Sequence, residues 1–326
     1  MGRQVKVRAK GWNGFRGVWW SAALLLCFAA PALADTITYQ YDFENPLSPW
    51  VFNGTAQRIT GDSSDPRIIS GSASGQLTDL SVSNVLSVGA AGSIILGHPI
   101  STSFFDVSFS FQLFGGEASN PFGFAGDGIT FSVFGGVSPA SVGLCCSGLG
   151  FANIVSHAVP AFSVEFDTYA NAAIDTCYDT GGNQAACPFD GPAPHISVTL
   201  GSRGIFGSDR DQELHEVPGL RNQVHNAHIA FSDSILNVSL DGQAVITDFL
   251  VPAEFIPPSA FIGFTGSTGS YADYQIIDNI SVTVVPEPPT LSLLLLGLMI
   301  GLAAQTLRAA SHSTNRASCG QDDSTG

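Results

Sequence analysis

The chain has 326 residues, 44% of them hydrophobic and 12% charged, with 36 Gly, 18 Pro and a formal net charge of −15. Five of its 12 basic residues fall within the first 34 positions, so the rest of the chain sets seven, none of them lysine, against 27 acidic residues. Such a surface repels phosphate backbones and excludes nucleic acid as a partner, while 23 Phe with many Val and Ile exclude a disordered chain.

Arg3, Lys6, Arg8, Lys10 and Arg16 form a positive leader, and Val18 to Ala30 a short apolar stretch. Ala32-Leu33-Ala34 is a small-residue cleavage site, which makes Asp35 the expected mature N-terminus and residues 1–34 a signal peptide. The apolar run is too short for a span and ends at Pro31, so export to an oxidising compartment is expected rather than an N-terminal anchor.

Residues 35–284 read as one all-β domain, because no stretch keeps helical periodicity and short alternating runs recur. The clearest are Phe105–Leu113, Ile129–Val133, His195–Leu200 and Ile235–Leu240, each apolar on one face and polar on the other. Asp241-Gly242, between Ile235–Leu240 and Gln243–Phe249, has the chemistry of a two-residue hairpin turn. A late pair, Ala260–Thr265 and Tyr274–Val284, is expected to close the sheets.

The most informative stretch is Phe162-Ser-Val-Glu-Phe-Asp-Thr-Tyr-Ala-Asn171. On a strand Glu165 and Asp167 share one face, with Val164 and Phe166 on the other, turned to the core. Two carboxylates on one face repel unless a cation or proton lies between them. Asn171 and the Tyr169 carbonyl add neutral oxygens where the strand ends, and Asp190-Gly-Pro-Ala-Pro-His195 brings a third carboxylate and an imidazole ahead of the next strand. Oxygen ligands suit Ca²⁺, and carboxylates with an imidazole suit Mn²⁺ or another transition metal.

These pieces, Glu-x-Asp-Thr-Tyr-x-Asn and Asp-x4-His, resemble the legume (L-type) lectins. The resemblance implies a concanavalin A-like lectin/glucanase β-sandwich, or jelly roll. It implies that Glu165, Asp167, Asp190 and His195 hold a transition metal, and that Asp167, the Tyr169 carbonyl, Asn171 and Asp190 hold Ca²⁺. The segment between Asn171 and Asp190 is longer than in plant members, and Asp175 and Asp179 are alternatives to Asp190 within it. Gly126-Asp127-Gly128-Ile129-Thr130-Phe131 resembles the family's strand start, implying that Asp127, after a cis peptide bond, accepts from sugar hydroxyls together with Asn171. Gly263-Phe-Thr-Gly-Ser-Thr-Gly269 resembles the late strand and loop, which places Ser270 and Tyr271 at the specificity loop, with Tyr169 and Tyr271 as stacking faces. Gly148-Leu-Gly-Phe151 matches the family's amide-donating loop in its Leu-Gly-aromatic core, with Cys146-Ser147 standing where a Gly pair is usual.

Four cysteines lie in this domain. Cys177 and Cys187 bracket the long loop, and a disulfide between them would stiffen it. Cys145 and Cys146 are adjacent, so a vicinal bridge is strained, and pairing each with one of the other two is equally open. His157, His215, His225 and His228 stand in polar contexts and read as surface histidines.

The same sandwich hosts glycoside hydrolases, whose related strand carries Glu-x-Asp-x-x-Glu. Here Ala170 replaces the third carboxylate, and no nucleophile elbow, catalytic Cys/His arrangement or phosphate loop is present, so no catalysis is expected. The expected function is carbohydrate or exopolysaccharide binding; the alternative is a structural matrix protein that keeps a metal-stabilised lectin fold without binding sugar.

At the C-terminal end, Val285-Pro-Glu-Pro-Pro289 precedes an apolar stretch at 290–307, just long enough to span, and Arg308. This resembles the bacterial PEP-CTERM sorting tail. It implies a sorting and transmembrane segment at 285–308, an exosortase-type sorting enzyme as partner, and a cell-surface or extracellular-matrix location, anchored at least transiently by the C-terminal helix. Residues 309–326 form a polar tail.

Overall fold

A computed structural model describes residues 36–80, 89–116, 126–136, 138–152, 154, 159–169, 176–178, 184–186, 193–201, 211–269, 271–285, 299 and 301–303. Among them the chain builds two antiparallel sheets of eight strands each. The first runs β16 (Gln243–Leu250), β15 (Ile235–Leu240), β14 (Val224–Ser232), β7 (Phe104–Phe114), β18 (Tyr274–Val284), β4 (Ala73–Thr78), β3 (Gln57–Thr60), with β1 (Ile37–Tyr41) also paired to β18. The second runs β13 (Asp211–Glu216), β12 (His195–Leu200), β9 (Ala161–Asp167), β8 (Gly128–Phe134), β17 (Ser259–Ser267), β5 (Ala91–Leu96), β2 (Trp50–Gly54), with β6 (Ile100–Ser101) on β17. Two short strands, β10 (Thr176–Tyr178) and β11 (Gln184–Ala186), pair only with each other.

Alternation drives this architecture. Phe105, Val107, Phe109, Phe111 and Leu113 of β7 face the interior and meet the inward residues of β8, β9 and β17. Phe109 packs edge-on against Phe264 at 4.7 Å between ring centroids, and Phe105 stacks on Phe231 at 5.0 Å. Each fully buried Phe contributes about 1.5–3 kcal/mol, so this aromatic layer is a large part of what holds the sheets together.

The late strands β17 and β18 do not close the sheets. β17 lies between β8 and β5 in the second sheet, and β18 lies between β7 and β4 in the first. Their apolar faces are buried almost completely, and a central position in each sheet is what provides that burial. The Asp241-Gly242 turn is as expected: Leu240 pairs with Gln243, and both turn residues take positive φ, 50° and 77°. A Cβ at Gly242 would touch nothing within 4 Å, so Gly242→Ala carries backbone strain alone. It should cost about 1–2 kcal/mol, read as a lower midpoint in urea unfolding.

His225 is a correction to the sequence reading. It is buried, lies 2.7 Å from an Asp241 carboxylate oxygen and 3.1 Å from the Gly219 carbonyl, and stacks on Phe111. The reason is register: His225, Ala227, Ile229 and Phe231 are the inward set of β14, an alternation that polar neighbours hide. His215 is partly exposed, and the exposed His228 pairs with Asp106.

A third layer covers the outer face of the second sheet. Ile95, Phe134, Phe151, Ile154 and Ala161 form a separate small core there. Beside it a row of polar side chains donates to the overlying segment: Asn53 to the Pro139 carbonyl, Ser93 to Ser141, Thr265 to Leu149 and Ser267 to Cys146. Residues 138–152 are thereby held against the sheet next to the start of β8.

Thr36–Glu287 forms one compact unit. In the other, Met299 and Gly301–Ala303 are helical. Among the described residues no helix is long and apolar enough to cross a membrane. The leader at 1–34 and nearly all of the 285–308 segment lie outside the described residues.

Candidate functional site

The site is assembled by the register of β8, β9 and β12. Gly128 pairs with Asp167, and Asp167 with His195 on its other side. Directly opposed residues in an antiparallel pair bring their Cβ atoms within about 4.5–5.5 Å. Glu165 lies two residues back on the same face as Asp167. The outcome is a cluster in which Glu165, Asp167 and His195 each offer one ligand atom, all within 4.8 Å of one another, at 1%, 1% and 0% exposure. Val164 and Phe166, from the opposite face of β9, sit in the main core as expected.

Beyond Asp167 the strand runs into the site's wall. Tyr169 donates its backbone N–H to Asp167 Oδ1 at 2.7 Å, which fixes that carboxylate's orientation. The Tyr169 ring lies 5.9 Å from the Tyr271 ring, tilted by 39°, so the two proposed stacking faces do meet. Asp127 is buried, and its carbonyl accepts from the Thr168 N–H at 2.8 Å. Thr168 Oγ1 also donates to the Gly126 carbonyl at 2.7 Å, which clamps Asp127 one residue beyond the metal-type cluster. The peptide bond before Asp127 is trans, contrary to what the resemblance implied. The cis bond among the described residues is Ala193–Pro194, where a tertiary amide lowers the cost of the cis form.

Gly148 is buried in a short 3₁₀ turn, Cys146–Gly148, and donates its N–H to the Cys145 carbonyl at 3.1 Å. That amide is therefore engaged within its own turn. Asn171, Asp175, Asp179, Asp190, Cys187, Ser270 and His157 lie outside the described residues, as does the side chain of Cys177.

No protein-family model matches the chain, and no curated protein matches it either. Solved structures do share its architecture. Basic winged bean lectin with Tn-antigen is 19% identical, with a TM-score of 0.56, over 76% of this chain and 98% of that one. Winged bean acidic lectin complexed with methyl-α-D-galactose is 20% identical, with a TM-score of 0.56, over 77% and 99%. A lectin from Bauhinia forficata in complex with GalNAc is 20% identical, with a TM-score of 0.52, over 77% and 99%. The chain has the legume-lectin fold.

Within that fold the cluster's chemistry can be tested against a metal. Two carboxylates and an imidazole, buried together and converging on one point, form a mixed oxygen and nitrogen set suited to Mn²⁺ or a similar divalent transition ion. Burying two carboxylates side by side is costly without a compensating positive charge, and a divalent ion would supply it. The residues present therefore fit a metal.

Sequence reasoning missed the support behind this cluster. Arg221 makes a two-pronged ion pair with Asp273, at 2.6 and 3.1 Å, and reaches Thr168 Oγ1 at 3.3 Å. Asp273 also accepts from the Gly116 N–H at 3.3 Å. One signal was available: in a chain with so few cations, an arginine beside an apolar strand is a candidate partner for a buried acid. Its partner, 52 residues away, is visible only in three dimensions.

Proposed function

We propose that this chain is an exported carbohydrate-binding protein in which a metal-organised loop presents hydrogen-bonding groups to a saccharide. The observation that carries this reading is the buried Glu165–Asp167–His195 cluster joined through Tyr169 and Thr168 to Asp127 and the Tyr169–Tyr271 pair. Glu165, Asp167 and His195, with Asp190, would hold the transition metal, and Asp167, the Tyr169 carbonyl, Asn171 and Asp190 would hold Ca²⁺. The ions would supply positive charge that fixes the loop. The chain's own groups would then contact the sugar: Asp127 and Asn171 at hydroxyls, and the tyrosine rings against an apolar pyranose face. That three structures of this fold were solved with Tn-antigen, methyl-α-D-galactose and GalNAc supports the substrate class. No catalytic activity is proposed.

The signal peptide at 1–34 would deliver the domain at 35–284 out of the cell. The segment at 285–308, followed by the polar tail at 309–326, would engage the membrane and an exosortase-type enzyme, leaving the protein at the surface or in the extracellular matrix.

Metal analysis of the purified chain, followed by a glycan array with and without EDTA, tests this. Ca²⁺ and a transition metal at about one each per chain, with binding lost in EDTA and restored by both ions, is the expected result. Bound metal with no glycan retained would move the protein to the structural matrix reading.

A further inference from the structure

We propose that Cys145 and Cys146 are an oxidisable vicinal pair that closes into an eight-membered disulfide ring, and that this ring fixes one wall of the saccharide site. The second half rests on the carbohydrate-binding reading above; the first does not.

Side chains of adjacent residues normally diverge. Here the two sulfurs lie 2.8 Å apart, because the backbone turns between them. Cys145 is extended, while Cys146 takes φ 62°, a left-handed conformation that L-residues seldom adopt. The turn is pinned from both sides. Gly148 and Leu149 donate to the Cys145 and Cys146 carbonyls, and Ser267 Oγ donates to Cys146 at 2.7 Å. Gly89 packs flat against both thiols: a Cβ there would stand 2.7 Å from either sulfur. The Thr268 carbonyl crowds the same position from the other side, so a residue without a side chain sits where the two sulfurs and that carbonyl converge. Both cysteines are half-buried.

The thiols are also unequal. The hydrogen bond from Cys146, with the Gly89 N–H, brings the Cys145 thiol down to about 7, and the same partner and burial push Cys146 up. Cys145 is thus the attacking thiolate. It attacks one sulfur of a small-molecule disulfide, forming a mixed disulfide and releasing one thiolate. Cys146 then loses its proton and attacks the Cys145 sulfur, forming the Cys145–Cys146 bond and releasing the second thiolate. Two cysteine thiols are oxidised, one external disulfide is reduced to two thiols, and two electrons and two protons are transferred.

The ring would bear on the site because of where it stands. Gly269 lies between the pair and Asp127: a Cβ at Gly269 would be 3.7 Å from Cys146 Cβ and 3.5 Å from Asp127 Oδ2. Closing the ring removes the freedom of the turn that carries Gly148 and faces Asp127.

The full chain is treated with oxidised glutathione, alkylated, digested and mapped by mass spectrometry, then compared with the chain treated with dithiothreitol. The expected result is a peptide holding both cysteines, 2 Da lighter by the loss of two hydrogens, refusing alkylation until reduced and then taking two alkyl groups. Free alkylation of both thiols after oxidation, a glutathione adduct that never resolves, or a crosslink to Cys177 or Cys187 would overturn the ring. Saccharide affinity should differ by at least about fivefold between the two states, and the difference should vanish in Cys145→Ser/Cys146→Ser. Equal affinity in both states would overturn the coupling to the site. Absence of saccharide binding in either state would refute the carbohydrate reading while the mass map still decides the ring.

Discussion

Replacing Asp167 by alanine is expected to lower metal affinity by at least about 100-fold and to abolish saccharide binding with it, leaving the circular dichroism of a β-sandwich. Loss of an outer partner to a metal ligand alone costs 10–100-fold, and Asp167 stands closer than that. It is the cross-strand neighbour of both Gly128 and His195, and it accepts the Tyr169 N–H. Removing its carboxylate would delete one of the groups proposed to hold the metal and at the same time release the backbone that leads into the loop. The fold should persist because the apolar face of β9, Val164 and Phe166, is untouched in the core. Inductively coupled plasma mass spectrometry and calorimetric titration with the saccharide found by the array read the two losses. Saccharide binding that survived in a metal-free Asp167→Ala chain would show that the metal does not organise the site.

Arg221→Met is expected to destabilise the folded chain by about 3–5 kcal/mol, because it leaves a buried carboxylate without its principal counter-charge. The exposure of the two side chains makes this the relevant regime: Arg221 is 13% exposed and Asp273 0%. An exposed pair of the same geometry would contribute less than about 1 kcal/mol. Arg221→Met with Asp273→Leu should recover much of the loss, since replacing both charges by apolar groups avoids the orphaned acid. Urea unfolding of the two single variants and the double variant measures the coupling. The site should feel the change too, because Arg221 touches Thr168, the residue that clamps Asp127. Saccharide affinity that stayed unchanged in the folded fraction of Arg221→Met would mean that the clamp does not depend on the ion pair.

Much of the architecture was legible from period-two alternation alone. His195–Leu200, Ile235–Leu240 and Tyr274–Val284 are strands at the bounds read from the sequence, because side-chain period and turn chemistry are local properties. Strands such as β14 were harder to read: its inward set includes His225, whose polarity masks the pattern until Asp241 and Gly219 are seen to satisfy it.

Period two along the chain is enough to place Glu165 and Asp167 on one face, Val164 and Phe166 on the other, and His195 at the start of a strand. Which strands lie beside β9 was decided only by the tertiary structure, since pairing across 28 residues from Asp167 to His195 depends on how whole sheets bury their apolar faces. The same holds for β17 and β18, which run through the middle of opposite sheets, and for Arg221 and Asp273, whose meeting no local pattern encodes. Local chemistry specifies what each strand can present; burial of the shared core decides which of those surfaces come together.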